Sequence, residues 1–480
     1  MTPGMPAHPL RRLLPGLAIL LAMTFMTSPL FADDLRSLIQ TRTLENGLEV
    51  IVIPDDSVPI VTVELTVKNG AFTETEELNG LSHLYEHMFF KGNAVIPNQE
   101  AYLKRMRELG IVFNGTTSSE RVNYFFTLPA PNLREGLVFL YDATVSPNFD
   151  AEEFEKEKEV VLGEADRAES SPHYWLRKGV AEKLWHEYPA RKDPLGSREA
   201  IKAATIEQMK WMKDTYYVPN NSTVLVAGDV DAEGAFALVE EIFKDWERGE
   251  DPFAKYPVPE HPPLTKNEYV VVKRDIQTPA LQVMWHGPKV NEDPAATHAA
   301  DVLSYILGQQ TSEFYKSLVD SGITLGAGTG YFTQRYTGPS YVSAAMQPEK
   351  VREAIRAIFL EVDRLKDPNY YTDEQLESAK TILSVQEIYS REETSSFAHT
   401  VTFWWAVAGL EYYYDYNKDL QAVTREDIAR YVETYVIDKP FVAGLLLSEE
   451  HAEELGMSEE ELEKIVEEVL AEISAQASAQ

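Results

Sequence analysis

The chain carries one pattern twice, and any fold it adopts must hold both copies. Val50, Val52, Asp55, Pro59 and Val63 recur 220 positions later as Val270, Val272, Asp275, Pro279 and Val283. In each copy a stretch of period-two apolar residues, a polar turn and a second strand-like stretch follow in the same order. The interval is long enough for a domain. Between the copies, positions 251–263 contain five prolines, which exclude both a helix interior and a central strand. These features predict an α+β protein of two homologous domains, each an antiparallel-rich sheet packed with helices. Domains at 33–250 and 267–447 would flank an extended linker at 251–266, with an acidic helical tail at 448–480.

A helix is predicted after each pair of strands, Gly80 to Lys91 in the first copy and Ala296 to Leu307 in the second. Further helices are expected near 97–108, 132–143, 151–168, 174–185 and 232–246, then near 311–320, 350–366, 373–390 and 424–436. The first of the paired helices reads His83-Leu84-Tyr85-Glu86-His87. Histidines four apart lie on one helical face, so both imidazoles can reach one metal ion. Glu86 shares that face and is placed to act as a base without being a ligand. Glu164 follows 77 positions after His87, in a helical, acid-rich stretch. Two histidines at this spacing also occur as ordinary surface or core residues. In the second copy the same positions are Leu303, Ile306 and Leu307, apolar residues that predict burial there and no metal.

The flanking residues are more specific. Gly80-Leu81-Ser82 before the motif and Met88-Phe89-Phe90-Lys91-Gly92 after it resemble the signature of the pitrilysin/insulinase zinc peptidases, the inverzincins. Asn46-Gly47-Leu48, Asn114-Gly115-Thr116-Thr117, Tyr216-Tyr217-Val218-Pro219-Asn220-Asn221 and Val226-Ala227-Gly228-Asp229-Val230 extend the resemblance over roughly residues 40 to 440. In length the chain is similar to the subunits of mitochondrial processing peptidase and their bacterial periplasmic relatives. The resemblance implies one zinc ion per chain, held by His83, His87 and Glu164, with Glu157 supporting the ligands. It implies a zinc metalloendopeptidase that hydrolyses peptides or unfolded segments with zinc-activated water, Glu86 serving as general base. It also places Asn114, Gly115 and Thr116 on an edge strand that pairs with the substrate backbone, although Asn-Gly alone also fits a hairpin turn.

One part of the family pattern is missing. Active members carry Leu-Arg-x-x-x-Gly-Leu-x-Tyr in the second domain, where this chain has Ser317 to Leu325, with Leu318 or Val319 for the arginine and Leu325 for the tyrosine. Neither replacement can donate a hydrogen bond. Arg335-Tyr336 lies nearby, but neighbours on a strand face opposite ways. The expectation is therefore the zinc-bearing subunit of a heterodimer whose homologous partner supplies Arg and Tyr, with a homodimer as the alternative. A non-catalytic scaffold or binding subunit of the same fold, or a zinc hydrolase of esters or amides, are the rival readings.

Arg11 and Arg12, the apolar run Leu13–Met26 and Leu30-Phe31-Ala32 read as a secretory signal peptide over residues 1–32. That predicts a periplasmic protein with no stable membrane span after cleavage; an uncleaved anchor is the alternative. The chain has no cysteine, which removes disulfides and thiolate ligands. A net charge of −33 without a basic patch argues against nucleic-acid or anionic-membrane partners. Of the other histidines, His173, His186, His286, His298 and His399 have no ligand-spaced partner and read as surface or packing residues.

Overall fold

A computed structural model describes residues 35–479; the expected signal segment 1–32 lies outside the described residues. Two mixed sheets organise the chain. The first joins β1 (Gln40–Thr43), β2 (Glu49–Pro54), β3 (Ile60–Val67), β4 (Val112–Thr117), β5 (Val122–Pro129) and β6 (Ser222–Gly228) in the order β1-β2-β6-β3-β5-β4. The second joins β7 (Glu268–Lys273), β8 (Ala280–His286), β9 (Gly326–Tyr331), β10 (Pro339–Ala345) and β11 (Val442–Leu447) in the order β7-β11-β8-β10-β9. Apart from β1, the two orders are the same. In each sheet one parallel pair interrupts an otherwise antiparallel arrangement. Val50 pairs with Val224, and Val270 pairs with Gly444, both partners displaced by 220 residues. The repeat in the sequence is thus a repeat in strand register.

Seven of the eight residues of β3 are buried, which requires cover on both faces of the sheet. Val61, Val63, Leu65 and Val67 pack into the first half's own core, with helices Leu81–Phe89, Leu133–Val145 and Ala232–Phe243. Cover for the other face comes from the second half. Phe397, Ala398, Val401 and Trp405 of helix Thr394–Val407 pack on Ile51, Ile53, Leu225 and Ala227. The exchange is mutual, since Leu176, Val180 and Leu184 of helix Pro172–Leu184 pack on Val270, Ala280, Val442 and Leu446 of the second sheet. A Cβ on Gly444 would meet Val180 Cγ2 at 2.3 Å, so that close crossing needs glycine.

Polar residues tie the exchanged helix down. Glu64, fully buried on β3, accepts hydrogen bonds from Thr66 Oγ1, Asn123 Nδ2 and Thr402 Oγ1 and pairs with His399 Nδ1. Arg121 Nη1 donates to the His399 carbonyl at 2.9 Å. His399 is therefore an interface residue joining the halves.

Most of the expected helices form within a few residues of their predicted ends, but three of the longer ones were not foreseen: Ile206–Tyr216, Thr394–Val407 and Leu410–Ala422. Helix Thr394–Val407 is rich in threonine, valine and aromatic residues, whose intrinsic preference for helix is weak; packing between the halves decides it. The acidic tail is helical, as expected, and integral to the second core. Leu462, Val466 and Val469 are fully buried there, on helix Glu459–Ala479. Its glutamates face outward, where Arg352 and Arg356 pair with Glu461 and Glu472. No described helix is long and apolar enough to cross a membrane.

Candidate metal centre

The helix Leu81–Phe89 is held at its start by a buried acid. The Glu74 carboxylate accepts the Gly80 and Ser82 backbone N–H groups, each at 2.7 Å, and so satisfies donors that have no partner within the helix. Leu81, Leu84, Tyr85, Met88 and Phe89 are buried in the first core. Tyr85 stacks on Tyr217, and Phe89 on Tyr124. With the apolar face locked by these contacts, His83, Glu86 and His87 are left on the opposite face, toward helix Ala151–Glu169. That second helix begins at Asp150, whose carboxylate caps the Glu152 and Glu153 N–H groups at 3.0 Å.

Glu164 meets both histidines. Its Oε2 lies 3.4 Å from His83 Nε2 and 3.8 Å from His87 Nε2. The three ligand atoms fall within 4.8 Å of one another, and among the described residues no other such group of histidine and acidic side chains occurs. Two metal bonds of about 2.1 Å at a tetrahedral angle put their outer atoms about 3.4 Å apart. Two imidazole nitrogens and a carboxylate at this spacing fit a zinc ion and leave one tetrahedral position open.

The electrostatics agree with that donor set. Burial, and then the neighbouring His87, push His83 down to about 4, so its ring is neutral and able to ligate at neutral pH. Burial works to lower His87 as well, but the Glu157 hydrogen bond and the charges of Glu164 and Glu86 carry it above its ordinary value. Glu157 Oε2 is 3.0 Å from His87 Nδ1, an acceptor that holds an N–H at Nδ1, so Nε2 is the ring nitrogen turned toward Glu164. The other Glu157 oxygen pairs with Lys91 Nζ at 2.6 Å. Burial raises Glu86, and Glu164 adds to the effect, against the opposing Thr117 and His87.

β4 is an outer strand of the first sheet, with one edge free of a strand partner among the described residues. Asn114 and Gly115 sit in the middle of it, so the Asn-Gly pair is not a hairpin turn. The β pleat sends Gly115 and Thr117 toward the helix, and Asn114 and Thr116 away from it. Thr117 Oγ1 donates to Glu86 Oε2 at 2.7 Å. Thr116 Oγ1 instead bonds Asn123, and Asn114 is exposed. A Cβ on Gly115 would meet Glu86 Cγ at 2.9 Å and Phe90 Cε2 at 3.1 Å, so glycine is needed for the helix to approach the strand.

Thr117, Lys91 and Glu74 are site residues that the sequence reading did not identify. Period two along the strand was a usable signal for Thr117, since it shares a face with Gly115. Lys91 and Glu74 act through tertiary contacts that have no local signature. In the second copy, Leu303, Ile306 and Leu307 are buried in the core. Leu318 is buried and Leu325 is 54% exposed. Arg335 and Tyr336 are engaged where the halves meet. Their N–H groups donate to Glu120, Arg335 Nη2 donates to the Ala406 carbonyl, and the Tyr336 ring stacks on Phe72.

Residues 49–197 match the family model described as insulinase (peptidase family M16), and residues 203–383 match the one described as peptidase M16 inactive domain. The zinc protease PqqE of Helicobacter pylori is 29% identical over 319 residues, which span 65% of this chain and 70% of that protein. The crystal structure of a protease from Helicobacter pylori superposes with a TM-score of 0.76 at 23% identity, covering 85% of this chain and 99% of that one. The periplasmic protease PqqL of Escherichia coli superposes with a TM-score of 0.73 at 17% identity; 90% of this chain is covered, but only 50% of PqqL.

Proposed function

Given that the chain belongs to the insulinase (M16) family of peptidases, we propose that it is a zinc-dependent endopeptidase acting on peptides or unfolded polypeptide segments. The observation that carries this reading is the convergence of His83, His87 and Glu164 beside Glu86 and the free edge of β4. His83, His87 and Glu164 would hold the zinc ion, and Glu157 would fix His87 in the ligating tautomer. Bound there, zinc would supply Lewis acidity toward water and toward the scissile carbonyl.

The remaining steps belong to the side chains. Glu86 Oε2 is occupied by the Thr117 hydroxyl, so Oε1 is the oxygen that takes the proton of the attacking water. Oε1 lies toward Gly115, at 3.2 Å from where a Cβ would stand, and so faces the strand that would hold the substrate. A peptide extended along β4 makes main-chain hydrogen bonds, which select an extended backbone more than a particular sequence. After the bond breaks, Glu86 Oε1 returns its proton to the leaving amine.

The chain is further proposed to work with a homologous partner in the periplasm. Two observations support the partner: Leu318, Val319 and Leu325 stand where donors are expected, and PqqL contains a second half beyond the part this chain matches. The test of the catalytic assignment is Glu86→Gln. The variant should keep zinc and lose turnover by about 10² to 10⁴-fold or more; cleavage at the wild-type rate removes Glu86 from the mechanism.

A further inference from the structure

We propose that Lys91 is a positioning residue for the metal centre, acting through Glu157 on His87. The proposal rests on the reading of His83, His87 and Glu164 as a zinc site and assigns a role to a residue that is not one of the ligands. Lys91 lies just beyond the helix, where its N–H donates to the Met88 carbonyl at 3.1 Å and the chain turns at Gly92, φ +130°. A side chain at Gly92 would collide with the Ile96 carbonyl at 2.9 Å, so the turn that places Lys91 is itself fixed. The Lys91 side chain is 11% exposed and that of Glu157 7%.

Each Glu157 oxygen has one partner: Lys91 Nζ at 2.6 Å on Oε1 and His87 Nδ1 at 3.0 Å on Oε2. The two contacts together set the plane of the carboxylate. A carboxylate held by His87 alone can rotate about its last side-chain torsion, which is a broad one, and its second oxygen would be buried without a donor. Such an arrangement no longer fixes the imidazole orientation. Lys91 removes that freedom, so the aim of His87 Nε2 at the metal depends on an ammonium group that touches neither the metal nor the ligand. Partners one step removed from a ligand commonly change metal affinity by ten- to a hundredfold.

The experiment is a double-mutant cycle read as zinc affinity, measured by competition with a chelator on the full chain. Lys91→Met and Glu157→Gln should each weaken zinc binding about tenfold, and the double variant should be no weaker than Glu157→Gln alone. Lys91→Arg should restore most of the loss. Thermal melting of the metal-free proteins checks that each variant folds; because Lys91→Arg keeps the charge, it carries the test if Lys91→Met does not fold. Additive losses in the double variant, or wild-type affinity in Lys91→Met, overturn the proposal. Absence of zinc binding in the wild-type protein would instead overturn the site on which it rests.

Discussion

At the scale of single residues, the site divides into what local periodicity dictates and what tertiary contact adds. His83, Glu86 and His87 were legible because the helical repeat leaves three residues at that spacing no choice but one face. Glu164 followed only from resemblance, since no local rule brings position 164 to position 87. Thr117 was overlooked although Gly115 was singled out two positions earlier on the same strand face. Its hydroxyl occupies Glu86 Oε2, and hydrogen bonds to charged groups contribute about 1.5–3 kcal/mol. Thr117→Val should therefore lower kcat about ten- to a hundredfold, with zinc content unchanged and KM little affected. Measured peptide hydrolysis at the wild-type rate would show that Glu86 needs no such orientation.

At the scale of elements, the strands were readable, and of the two exchanged helices Pro172–Leu184 was and Thr394–Val407 was not. Period-two alternation and the Asp-Pro landmarks located β2, β3, β7 and β8, but helix Thr394–Val407 owes its existence to the sheet of the other half, which it meets at β2 and β6. The counterpart of the histidine helix, Pro294–Gly308, shows the opposite outcome of the repeat. Its zinc-equivalent positions are packed with leucine and isoleucine, and its one histidine is structural. His298 is 2% exposed, bonds the Pro294 carbonyl through Nδ1 and packs against Tyr412 and Tyr416. Burial pushes it down to about 4 from an ordinary value of 6.5. A histidine depressed in the folded state stabilises the fold above pH 6.5, and that stability is lost as pH falls from 6.5 toward 4. The shift corresponds to roughly 3 kcal/mol. Denaturant titrations at pH 7 and pH 4.5 should find His298→Phe less sensitive to acid than the wild type by about 2–3 kcal/mol. Equal loss of stability in the two proteins would mean that His298 is protonated in the fold.

At the scale of the whole molecule, two copies of one architecture have diverged in role. One presents the histidine helix, and the other buries its equivalent and lends a helix to its neighbour's sheet. The proposed partner would supply the donors that Leu318, Val319 and Leu325 do not. The Arg335 and Tyr336 N–H groups already bond Glu120 of the first half, and the Tyr336 ring stacks on Phe72. Purified alone, the protein should hold zinc but cleave peptides weakly, and it should gain activity when a homologous partner that supplies both donors is added. Full activity in a preparation shown by mass spectrometry to contain this chain alone would remove the need for the partner. All of these expectations depend on the zinc ion. The most direct measurement is elemental analysis of the dialysed wild-type protein beside Glu164→Ala, with peptide hydrolysis followed before chelation, after it, and after zinc is returned. One zinc per wild-type chain, little or none in the variant, and hydrolysis that falls and recovers with the metal is the outcome required; equal zinc in both proteins, or cleavage indifferent to the chelator, would contradict it.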